Sequence, residues 1–335
     1  MTVGIIGLRQ LQLGKETELG TGVACTTFLR MEGAIKDESK PEYPKEDVGY
    51  VRGVGRLFVP KSDGTIEIKG TPVTFEQLPY FGNMGIHGVA GSQDGAGSGY
   101  IYTHPFPTTS LLTPYTYTIR HGDNSQAEIM TGVFAEELTI KGEAEKAWGL
   151  DAKLRGWPGG PTTFTGSLSI PTVEEVIFGL TALYIDEPGG TIGTTQIEDG
   201  FRGFELKISK VHTARWQGNG AGKTYTRLVM SSEPEITLKL KLDHDTSAVA
   251  ERAKRRALTH RLIRIEAEGS NLVTPGTVYS KKTVRLDLVG SYMEPEPYDD
   301  DDGVTSLEFS MATHYNATAA LGGQLVVCNA LSALP

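Results

Sequence analysis

The sequence predicts a mainly β protein built as two tandem domains, and three observations carry that prediction. Apolar residues recur chiefly at a spacing of two, which places them on one side of a strand. Helical periodicity is scarce. One order of elements, strand, helix and then three strands, can be read once in each half of the chain.

In the first half a strand ends near IEIKG, residues 66–70, and a short helix follows Thr74 in TFEQLPYFGNMG, limited by Pro79. Three strands come next. In YTYTIR, Tyr115, Tyr117 and Ile119 share a side; in FAEELTIKG, Phe134, Leu138 and Ile140 do; in AWGLDAKLRG, Trp148, Leu150, Ala152 and Leu154 do. In the second half Ile236, Leu238, Leu240 and Leu242 alternate with Thr237, Lys239 and Lys241. A helix is predicted over residues 247–260, with Asp245 and Thr246 as candidate N-caps and Val249, Ala253 and Leu258 on one face. LIRIEAEG, KTVRLDLVG and TSLEFSMATHY supply the last three strands, with Val284, Leu286 and Leu288, then Leu307, Phe309 and Met311, as their apolar sides. One polar and one apolar face per strand argue for antiparallel sheets.

A long irregular excursion precedes each unit, residues 39–64 and 210–232, well beyond the roughly 2 to 5 residues of an ordinary hairpin loop. Both are expected to be arms that contact neighbouring subunits or rings. Gly and Pro cluster in RGWPGGPTTF, which sets the expected domains at residues 1–170 and 171–335. The length of 335 residues agrees, because single cores stop growing at about 250 to 300.

The charge balance, 32 basic against 41 acidic residues, leaves −9 and disfavours a non-specific nucleic-acid clamp. Cys25 and Cys328 alone supply neither a disulfide framework nor a zinc spacing. The N-terminal MTVGIIGLRQ is too short for a signal peptide, and no apolar run reaches the 18 or so residues of a membrane span. ALGGQLVVCNALSALP comes nearest, interrupted by Gln324 and Asn329.

Motifs that invite chemistry fail at named positions. GNGAGKT, Gly218 to Thr224, resembles a phosphate-binding loop, but Gln217 stands where the first Gly is required and TYTRLVM after it reads as a strand. DDDDG, Asp299 to Gly303, misses the EF-hand pattern, with Tyr298 at the first ligand position and Phe309 at the Glu position, and reads as a solvated acidic turn between two strands. Lys254, Arg255 and Arg256 form one turn of basic charge without interleaved aromatics, a solvated or subunit-contacting face. The seven histidines show no metal-binding spacing, no serine sits in a GxSxG elbow, and the sequon at Asn316 to Thr318 has no meaning without secretion. The expectation is therefore a protein that is not an enzyme, with no catalytic, cofactor-binding or metal-binding residues and no cofactor.

YTYTIRHGDN, FAEELTIKGEAEKAWGLDAKLRG, LYIDEPGGTIGTTQIEDGFRGFELKIS, and the pairing of HDTSA with RLIRIEAEG resemble the tail tube proteins of long-tailed bacteriophages. The resemblance runs from about Gly14 to Tyr315 in diffuse strand patterns. It implies two β-sandwich or barrel domains of tail-tube type, each with a flanking helix and long loop arms. It further implies a structural subunit that stacks as rings around a lumen conducting DNA. Single-domain members form hexameric rings, so the doubled order implies trimeric, pseudo-hexameric ones. The implied partners are other copies of the chain, a tape measure protein in the lumen, terminator and distal tail proteins at the ends, and DNA in transit without specific binding; no membrane is involved. The implied location is the virion tail, assembled in the bacterial cytoplasm. A net negative charge suits a lumen that must not grip phosphates. The alternative is a carbohydrate- or receptor-binding β-sandwich of a virion, which would need exposed loop aromatics such as Trp157 and Trp216.

Overall fold

Strands carry the fold, as the two-residue period requires, and the computed structural model describes residues 4–47, 49, 55–108, 111–218, 222–295, 297–301 and 303–334. The first half contains β1 (Gln10–Lys15), β2 (Thr27–Phe28), β3 (Ile35–Asp37), β4 (Gly64–Pro72), helix α1 (Leu78–Gly85), β5 (Ser92–Gln93), β6 (Tyr100–Pro105), β7 (Tyr117–Gly122), β8 (Ala127–Glu143) and β9 (Gly149–Thr162). The second contains β10 (Thr181–Asp186), β11 (Gln196–Ile197), β12 (Phe201–Ser209), β13 (His212–Arg215), β14 (Arg227–Met230), β15 (Glu235–Asp243), helix α2 (Thr246–Arg256), β16 (Arg261–Asn271), β17 (Lys281–Tyr292), β18 (Tyr298–Asp301), β19 (Val304–Thr313) and β20 (Gln324–Asn329). Their pairings are antiparallel.

The order of pairing occurs twice. The first half runs β1, β7, β8, β9, β4, β3. The second runs β10, β16, β17, β19, β15, β12. The halves are also joined: β8 pairs with β12, and β20 bridges β17 to β6. One hydrophobic cluster draws on both, from Leu11 and Ile66 to Phe309 and Val327.

The β8 to β12 joint makes a single wall of eight strands in the order β3, β4, β9, β8, β12, β15, β19, β18. Rows of buried side chains cross its inner face, one of them running Leu150, Ile140, Leu206, Leu238, Met311. Because the side-chain period is two, the residues between them share the outer face. Strand β8 spans 17 residues and serves two neighbours, β7 at its start and β12 at its end. Irregularities in its register mark the change of partner.

Both helices differ from expectation. All eight residues of α1 are buried, so it is an interior helix rather than a flanking one. Glycines permit the fit: a Cβ on Gly82 would stand 2.6 Å from the His104 ring and one on Gly85 2.5 Å from Leu138. Helix α2 starts as predicted, with Asp245 Oδ1 accepting from the Ala248 amide at 2.8 Å. It ends early, however, and the face bearing Val249, Ala253 and Leu258 is exposed while Ala248 and Glu251 point inward. Polar packing overrode the apolar pattern: Glu251 binds Arg261 at 2.8 Å and accepts from Tyr292 at 2.5 Å. The apolar C-terminal run forms strand β20, paired along both edges by β17 and β6 and buried on both faces. Leu325 and Val327 enter the main core, while Val326 and Cys328 enter a second cluster with Leu272 and Tyr279.

Candidate functional site

The outer face of the wall is a lattice of alternating charge, built by the strand period and closed by cross-strand pairs. Lys141 reaches Asp151 at 2.6 Å and Glu205 at 3.9 Å; Lys207 reaches Glu137 at 2.9 Å; Lys239 reaches Glu308 at 3.0 Å; Lys241 reaches Asp299 at 3.2 Å. Lys69 pairs with Glu67 at 2.7 Å, Lys153 with Glu136 at 3.6 Å and Arg155 with Asp63 at 2.7 Å. Hydrogen bonds to Asp151 and Glu308 hold Lys141 and Lys239 above the ordinary lysine value. Shallow open depressions lie between these side chains, lined for example by Lys141, Glu205, Lys239 and Glu308. Such a surface offers a polyanion cations already neutralised by neighbours, so little counterion release would accompany contact with phosphates.

The wall has two free ends. Among the described residues β3 pairs only with β4, and β18 only with β19, so each presents an unpaired row of backbone groups. The β8 to β12 joint shows what such an edge looks like when satisfied. There Ile140 faces Leu206, and both are fully buried.

The two excursions have different fates. Strands β13 and β14 of the second lie on the first half of the chain, with His212 Nε2 2.8 Å from the Ile86 carbonyl oxygen. Tyr225 between them is wholly buried, and its ring meets Phe134, Trp157 and Trp216 at 5.9, 5.3 and 5.6 Å between centroids. The two tryptophans, remote in sequence, thus share one packed cluster, half-buried and capped by Lys61 over the Trp216 ring at 3.9 Å. Nothing in the sequence singled out Tyr225, which has no periodic neighbours to mark it. The first excursion closes by paired backbone hydrogen bonds between Glu42 and Phe58 and leaves Tyr43, Leu57 and Phe58 exposed. Residues 48, 50–54 and 219–221 of the excursions lie outside the described residues.

The tempting motifs fall as follows. The segment 218–224, of which residues 219–221 lie outside the described residues, falls between β13 and β14, and the element that follows it is strand β14. The acidic run is not the expected turn: Asp299 to Asp301 belong to strand β18, paired with β19, while Asp299 binds Lys241 and Asp300 Oδ1 accepts from the Gly303 amide at 2.8 Å; residue 302 lies outside the described residues. Lys254 pairs with Glu187 at 2.5 Å. Cys25 and Cys328 are buried, and burial pushes both thiols up to about 11. Among the described residues no three His, Cys, Asp or Glu side chains are grouped to hold a metal, and no helix is long and apolar enough to cross a membrane. No protein-family model and no curated protein matches the chain.

Proposed function

We propose that the chain is a structural subunit of a bacteriophage tail tube, polymerising as stacked rings around a lumen that conducts DNA. The observation that carries this reading is the eight-stranded wall, continuous across both halves and, among the described residues, unpaired at its two ends. Edge-to-edge repetition of such a wall closes into a cylinder and removes the exposed edges that otherwise invite aggregation. Its charge-paired face suits a lining past which a polyanion must slide without being held.

The repeated pairing order supports division into two tail-tube-like domains near residue 170, and hence rings of three chains with six similar β domains. Repetition of one heterologous interface closes the ring, and stacking gives an open filament. The exposed Tyr43, Leu57 and Phe58 support a contact role for the first excursion. A tape measure protein in the lumen, terminator and distal tail proteins at the ends, and residence in the virion tail belong to the same proposal, as does the lack of enzymatic activity. The reading as a carbohydrate- or receptor-binding module loses support, because Trp157 and Trp216 pack on Tyr225 instead of presenting a sugar platform.

Negative-stain electron microscopy of the concentrated protein tests the proposal. Tubes with an axial repeat and end-on views of three-fold symmetry over an approximate six-fold are expected. Discrete particles at every concentration would overturn it.

A further inference from the structure

We infer that the free edge of β18 pairs antiparallel with the free edge of β3 in a second copy of this chain, in a register already present inside each chain. The inference rests on the assembly reading above and specifies its interface.

The register follows from equating the halves position by position. Strand β7 begins opposite Val133 of β8, and β16 begins opposite Gly290 of β17. Two residues further on, Ala135 faces Leu154 and Tyr292 faces Met311. Leu154 in turn faces Ile66, and Met311 faces Leu238. Ile66 faces Ile35 of β3, and Leu238 faces Leu206 of β12. Ile35 therefore occupies the place of Leu206. Counting four residues back along β9 and β19 leads to Leu150 and Leu307, whose partners are Ile140 and Tyr298. Tyr298 therefore occupies the place of Ile140.

Within one chain Ile140 faces Leu206 at the β8 to β12 joint. The equivalent joint between copies sets Tyr298 against Ile35. Burial agrees with this. Ile140 and Leu206 are 1% and 0% exposed, whereas Tyr298 is 55% exposed and Ile35 half-buried, so the two apolar positions of the unmade joint are the ones left open. The same register sets Asp299 opposite Ala34, the places that Lys141 and Glu205 take in the internal joint. Pro297 has no amide hydrogen to donate, which confines the new ladder to Tyr298 and the residues after it.

Single variants Ala34→Cys and Asp299→Cys test this when mixed under assembly conditions and treated with a short bismaleimide, since directly opposed residues lie about 5 Å apart. Cys25 and Cys328 are buried, and the unsubstituted chain controls for them. A covalent dimer is expected in the mixture and in neither variant alone; pairing Ala34→Cys with Val273→Cys, on a distant exposed loop, should give none. Assembly into rings or tubes without the 34 to 299 link would overturn the register while leaving the tube reading intact. Absence of assembly at any concentration would overturn both.

Discussion

Tyr225 donates its hydroxyl hydrogen to the carbonyl oxygen of Gly132, 93 residues away in sequence. Gly132 has φ 65, a left-handed conformation that glycine adopts without strain, and its amide donates to Glu16 Oε1 at 2.8 Å. The second excursion is thus pinned to the first half by a ring and a hydrogen bond. Tyr225→Ala is expected to cost about 3 to 5 kcal/mol, the usual loss for a buried aromatic. Tyr225→Phe, which keeps the ring packing, should cost nearer 1 kcal/mol. Urea unfolding measures both, and equal costs would show that the ring packing is not what anchors the excursion.

His104 is fully buried, its Nδ1 2.9 Å from the His87 carbonyl oxygen and its Nε2 without a hydrogen-bond partner. Burial pulls its pKa down to about 4. The unfolded chain therefore takes up a proton near pH 6.5 that the folded chain refuses until about pH 4, so stability is full above 6.5 and falls as pH drops through that window. The loss attributable to this group is on the order of 3 kcal/mol. His104→Gln, which retains a donor and cannot titrate, should flatten the difference in unfolding free energy between pH 7 and pH 4. Parallel pH profiles for the two proteins would reject this account.

Asp287 is buried between Arg264, at 2.6 and 3.1 Å, and Gln324, at 3.0 Å. Asp287→Ala strands the guanidinium and should destabilise by about 3 to 5 kcal/mol. Replacing both partners with apolar residues, Arg264→Met with Asp287→Leu, should recover most of that loss, because desolvation of the charges opposes their attraction. Thermal unfolding of the three variants decides it; a double variant no more stable than the single would show that shape, not charge burial, governs the site.

At the internal joint the ion pair of Lys207 and Glu137 is half exposed, so a double-mutant cycle should return only about 0.2 to 1 kcal/mol, shrinking as salt rises. Leu206→Ala, in the same strand, should cost about 2 to 5 kcal/mol. A coupling energy above that of the leucine deletion would mean that charge, rather than the apolar row and the backbone ladder, holds the two halves together.

Strand identity was written in the alternation itself: Trp148, Leu150, Ala152 and Leu154 are buried, as are Ile236 to Leu242 at every second position. A period of two can bury one face only if the chain is extended, so local pattern was enough. The Asp245 cap was equally local. The expected strand, helix, three-strand order was legible only in part: β7, β8, β9 and β16, β17, β19 recur with like pairing, but β5 and β6 intervene after α1, β18 interrupts the second set and β20 follows it. The inward face of α2 was not legible, because Glu251 became buriable only once Arg261, from the strand that follows, and Tyr292, 41 residues away, stood beside it.

The candidate surface was the least legible part. A count of −9 says how much charge the chain carries but not that Lys141, Lys207 and Lys239 each stand beside a carboxylate from another strand. The clustering of Trp157 and Trp216 on Tyr225 likewise needed the chain to return from afar. Where apolar and polar residues alternate, as in β9, β15, β17 and β19, the sequence by itself determined the strand and the side that turns inward, since both follow from the geometry of an extended backbone; β13, β14, β18 and β20 lack that signature. Which strands become neighbours, and so which edges are left open, was decided by long-range packing, because a strand's hydrogen-bonding groups are the same on every strand and only the tertiary fold selects among equivalent partners.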